Sequence, residues 1–125
     1  MKLFSVEEAN SLLPAVRRIV SAISRAHATV VSSQEAARRA AAGAEAGGGH
    51  MPGGVKYVMT LLSLAQHTGE LEALGVQIKD YERGLIDFPT MRDGRTVLLC
   101  WKLDEGDQIE WWHEVETGFA GRQPL

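Results

Sequence analysis

A chain of 125 residues with 45% hydrophobic and 23% charged residues has the make-up of one soluble globular domain, because two cores of half this length would each bury too little surface. Acids exceed bases by three, so no strong positive field gathers nucleic acid or anionic lipid, and no apolar run approaches the roughly 18 residues of a membrane span. The N-terminus lacks the charged start and apolar segment of a secretory signal, so a cytoplasmic protein is expected, and the lone Cys100 excludes both an internal disulfide and a thiolate-rich zinc site within one chain.

Ser5 and Glu8 have the Ser-x-x-Glu spacing of a capping box, which predicts a helix from about Val6. Val6, Ala9, Leu13, Val16, Val20, Ile23, His27 and Val30 then recur at alternating steps of three and four, widened by Leu12, Ile19 and Ala26. A seam of that length asks for a partner helix, in this chain or in a second copy. Pro14 falls inside it, where a proline removes one backbone hydrogen bond and crowds the preceding turn, so a kink or an early break is expected there. Helical composition lasts to about residue 42, and 43–54 reads as a Gly-rich linker that lets the chain reverse. A second helix over 55–74 carries Val58, Leu61, Leu62, Leu64, Ala65, Leu71 and Leu74 on a broad apolar side and stops at Gly75.

The remainder is β-patterned. Val76, Ile78 and Asp80 alternate with Gln77, Lys79 and Tyr81; Arg83-Gly84 breaks this strand, and Leu85 to Phe88 extends or restarts it before Pro89. Asp93-Gly94 is a hairpin turn signal. TVLLCW after it is apolar on both faces, as in a central strand, and Glu105-Gly106-Asp107 turns the chain into IEWWHEVE. The tail 118–125, with two glycines and a proline, is left irregular. The expected architecture is therefore a single α+β domain over 1–125, with an N-terminal antiparallel helical hairpin packed on a three- to four-stranded antiparallel sheet over 75–117.

FSVEEANSLLP, GVQIKDYERGLIDFP and GRTVLLCWKLDEGDQIEWWHEVETGFAGRQPL together resemble a family of small prokaryotic proteins known only as domain of unknown function 2203. The resemblance implies a bacterial, cytoplasmic, stand-alone protein. It brings no activity, cofactor or catalytic residue.

The candidate chemistry lies between Gly75 and Val115. Counting alternate residues from Ile109 puts His113 on the face of Ile109 and Trp111, and Asp80 ends the Val76 and Ile78 face. Under the helices, the two would form an Asp–His pair able to orient a general base. They could equally hold a divalent metal with Asp87, Glu82, Glu114 or a helix residue. The plainer alternative is a structural hydrogen bond. His67 and Glu70 share a helix face at a spacing used in metal-binding bundles, although the first helix offers no matching set. His27 sits on the seam, where it could set register or face its own copy. Cys100 reads as a small buried hydrophobe; a nucleophilic role would need His113 on the same face. Trp111 and Trp112 point to opposite faces, so one indole needs a cover other than the helices, such as a neighbouring subunit or the tail with Phe119 and Leu125.

Two functions are consistent with these features. One is a self-associating binding module, a homodimer formed through the seam or the outer sheet face. The other is a small metal-binding protein or metal-dependent hydrolase centred on His113 and Asp80.

Overall fold

The structure, a computed structural model, describes residues 1–44 and 53–125. Most of the expected Gly-rich linker lies outside the described residues. The first helix, α1, spans Val6–Ala44 and opens on the expected capping box: the Glu8 N–H donates to Ser5 Oγ at 3.0 Å and the Ser5 N–H to Glu8 Oε1 at 3.2 Å. It runs as one helix through Pro14. Proline inside a helix costs about 3 kcal/mol. Burial of Leu13, Val16 and Val20 returns roughly 2 kcal/mol each, which is enough to keep the helix going.

The seam is covered differently from what its heptad spacing suggests. Ala9, Leu13, Val16, Val20 and Ile23 join one core with Ile86, Phe88, Val97, Leu99, Trp101 and Trp112, so the sheet lies beneath the seam. The second helix, α2 (Gly54–Ala73), returns alongside α1 and contributes Leu71, with Leu64 and Leu74 packed against the core. Its first half leaves Val58, Leu61 and Leu62 of the expected apolar side exposed, together with Val55 and Met59.

Five antiparallel strands follow in chain order: β1 (Gln77–Asp80), β2 (Leu85–Arg92), β3 (Arg95–Trp101), β4 (Trp111–His113) and β5 (Gln123–Pro124). The count exceeds the expected three to four because the tail, expected to be irregular, forms a 3-10 turn (Phe119–Gly121) and then pairs with β4. Two residues are too few to show alternation, so backbone pairing alone defines β5. Pro89 lies within β2 and does not end it. Its carbonyl accepts from the Phe4 N–H at 2.8 Å, beyond the reach of β1, so its missing N–H falls where no strand needs it. Asp93 (φ 50°) and Gly94 (φ 77°) make the expected tight turn between β2 and β3. At Gly84, φ is +62° and a Cβ would stand 2.5 Å from Leu103 and 2.9 Å from Val20. Only glycine lets the β1–β2 turn close on α1.

Candidate functional site

The sheet register sorts side chains into two faces. Ile86 opposes Trp101, Phe88 opposes Leu99, and Leu99 opposes Trp112; all belong to the core under α1. On the other face Asp87 opposes Cys100, Leu98 opposes His113, and Cys100 opposes Trp111. Asp87 on β2 and His113 on β4 reach toward each other across β3, and His113 Nε2 stands 3.0 Å from Asp87 Oδ1. Cys100 lies in the strand between them. One ligand atom from each of the three residues falls within 4.8 Å of the others, and all three residues are buried.

The imidazole is held at both nitrogens. Nδ1 lies 2.7 Å from the Glu114 backbone carbonyl, which can only accept, so Nδ1 carries hydrogen and Nε2 is directed at Asp87. Cys100 is a thiol and not a thiolate: burial first, and then the neighbouring Asp87 carboxylate, push its pKa up to about 12.

The C-terminal tail covers this face. The Arg122 guanidinium lies 5.0 Å from the Trp111 ring centre and 4.8 Å from that of Phe119. It donates to Glu105 Oε1 at 2.7 Å and to the Cys100 carbonyl at 3.4 Å. Trp111 thus receives the separate cover that its orientation demanded, and the cover comes from the tail. A cavity of about 380 Å³ remains over the face. Leu85, Leu98, Val115 and Phe119 form its apolar walls; Asp87 and His113 supply a polar patch, with Gln77, Lys79 and Thr96 also lining it. A larger cavity of about 440 Å³ between α1 and the start of α2 is lined by Ala28, Ser32, Ala36 and Lys56, and no ligand cluster lies there among the described residues.

Asp80 and His113 do not meet. A register irregularity between Ile78 and Asp80 breaks the alternation of β1, and Asp80 turns to Arg83, accepting its backbone N–H at 3.0 Å and its Nε at 3.1 Å. Those bonds hold the Asp80 carboxyl below its ordinary pKa. His113 lies on the face away from the helices because Ile109 is not part of β4. The Ile109 N–H donates to Asn10 Oδ1 on α1 at 2.7 Å, which docks Ile109 in the core and shifts the parity of everything counted from it.

The remaining candidates lie apart from the cluster. Glu114 is paired with Arg95, which lowers its pKa. The Glu82 backbone carbonyl accepts from Ser24 Oγ. His27 stacks on Tyr81 with ring centres 5.4 Å apart, and His67 approaches Glu70 at 3.6 Å on α2. Sequence reasoning gave Asp87 a secondary place and missed the covering role of Arg122. The apolar neighbours of Asp87 in LIDFP were the available signal for a buried carboxylate.

No helix among the described residues is long and apolar enough to cross a membrane. No curated protein and no solved structure matches the chain. The family of uncharacterized conserved proteins, DUF2203, matches residues 2–125, and the chain belongs to that family.

Proposed function

We propose that the protein binds one divalent transition metal through Asp87, Cys100 and His113 and presents it to a small ligand in the outer-face cavity. The carrying observation is the convergence of a carboxylate, a thiol and an imidazole, all buried and with ligand atoms within 4.8 Å of one another. A mixed oxygen, sulfur and nitrogen set suits zinc better than magnesium or calcium, which prefer oxygen alone. The Glu114 carbonyl on Nδ1 is the outer contact that fixes a ligating histidine, leaving Nε2 directed inward. Three protein ligands leave a further coordination position, and Asp87 and His113 both line the cavity from which water or a substrate would arrive. Hydrolysis of a small molecule is the reaction class this would allow. The carboxylates of Asp80 and Glu114, engaged with Arg83 and Arg95, are not ligands in this reading. A cytoplasmic setting belongs to it, because a reducing compartment keeps the thiol available.

The test is elemental analysis of purified, untagged protein by plasma mass spectrometry, after dialysis against metal-free buffer and again after zinc, manganese or iron is offered back. About one equivalent per chain is expected. It should be lost in His113→Ala and in Cys100→Ser. A blank in both preparations of folded protein would sink the proposal and leave Asp87 and His113 as a structural pair.

A further inference from the structure

We infer that the outward face of α2 is a self-association surface that pairs with the same face of a second copy in antiparallel fashion. The seam of α1 cannot serve, since its apolar residues lie on the sheet, and the outer sheet face is under the tail. Among the described residues, α2 is the element left uncovered.

At 3.6 residues per turn, the side of α2 opposite Leu71 carries Val55, Val58, Met59 and Leu62 in its first half, at 80%, 53%, 61% and 60% exposure. The same side continues through Ala65, Gln66, Gly69 and Ala73, all exposed. No charged residue interrupts this face between Gly54 and Ala73, whereas a helix whose outer side meets only water normally carries its charges there. A Cβ at Gly69 would meet nothing within 4 Å among the described residues. A mid-helix glycine weakens a helix, and the described residues offer no packing reason for this one.

The size gradient identifies the occupant. A helix that is bulky at its start and small at its end fits a copy of itself only when the copy runs the other way. With the symmetry axis near residue 64, Val55 meets Ala73 of the second copy, Met59 meets Gly69, and Leu62 meets Gln66. Val55 and Met59 enter the spaces left by Ala73 and Gly69, and Leu62 packs along the aliphatic stem of Gln66. Charge agrees with this register, because Lys56 and Glu70 flank the same edge of the apolar face. In an antiparallel pair like edges adjoin, which brings Lys56 of one copy beside Glu70 of the other. Such an interface is isologous and closes at two subunits. It is independent of the metal site.

Sedimentation of the full, untagged chain is expected to give a mass near twice the 13.6 kDa of one chain. Leu62→Glu should sediment as a single chain with an unchanged circular dichroism spectrum. A monomeric wild-type chain at about 100 µM, well above a micromolar dissociation constant, overturns the inference. So does a dimer that survives Leu62→Glu. Direction is read by disulfide capture under mild oxidation. Ala65→Cys lies beside its own mate in the antiparallel pair, while Val55→Cys is separated from its mate by 18 residues of rise, about 27 Å. Ala65→Cys should therefore cross-link at least tenfold faster than Val55→Cys; equal rates, or the reverse order, overturn the antiparallel pairing.

Discussion

The two faces of the sheet are both buried, but different elements bury them. Under α1, the face made by Ile86, Phe88, Val97, Leu99, Trp101 and Trp112 is apolar and packed by a helix with many backbone hydrogen bonds of its own. The opposite face holds Asp87, Cys100 and His113 beneath a tail fastened by two β5 residues and the Arg122 guanidinium. α1 packs directly on its face, apolar side chain against apolar side chain. A tail leaves a cavity, and polar groups that satisfy one another can persist under it. The apolar core and the titratable cluster thereby lie on opposite sides of the same strands.

Substitutions on each face test this division. The largest effect is expected for Phe88→Ala, which empties the centre of the helix-covered face and forfeits the edge-to-face contact with Phe4 at 5.3 Å; a loss of about 4 kcal/mol is expected, read from urea unfolding. His113→Ala in metal-free buffer should cost about 3 kcal/mol, because it strands a buried carboxylate. The cause differs in kind, so the remedy differs too. The double substitution Asp87→Leu with His113→Leu should recover most of that stability while abolishing metal binding. If the double variant is no more stable than His113→Ala alone, the pair is holding the fold together and the two faces are less distinct than their chemistry suggests.

The smallest effect at neutral pH concerns Cys100. Its pKa rises from an ordinary value of 9.0 to about 12 on folding, so the folded state holds the thiol proton more tightly than the unfolded state. That contribution is full below pH 9 and is lost as pH rises toward 12. In metal-free buffer the wild-type urea midpoint should fall more steeply above pH 9 than that of Cys100→Ala. A thiol-specific reagent at pH 8 should likewise react far more slowly with folded protein than with protein in urea. Rapid labelling of the folded chain would mean that the tail side is open to solvent and only the helix side is closed.

Local signals were legible in proportion to how local their causes are. The capping box at Ser5 and Glu8, the Asp93-Gly94 turn and the stripe on α1 depend on neighbours within a few residues, and each appears where its spacing indicates. The α+β class followed from two helical periodicities and then a β-patterned half. The identity of the surface beneath the seam did not, because a stripe of Val, Ile and Leu fits a helix and a sheet equally well. Val58, Leu61 and Leu62 lie exposed although their spacing places them with Leu64 and Leu71 on one apolar side, since hydrophobicity alone does not say which side of a helix meets the chain.

The candidate site was half legible. His113, Asp87 and Cys100 were all singled out, yet His113 was joined to Asp80, which lies instead in the β1–β2 turn with Arg83. The error arose from parity. Alternation holds only inside a continuous strand, and the loop at Ile109 and the irregularity after Ile78 each reset it. By itself the sequence determined the helices, the hairpin turn and the crowding of titratable groups near the C-terminus, because those follow from local sterics and composition. The tertiary structure alone decided which carboxylate meets the imidazole, which indole lies under α1, and that the last residues close the outer face. Those outcomes depend on strand register and on contacts between residues tens of positions apart, where a shift of one residue exchanges the two faces of the sheet.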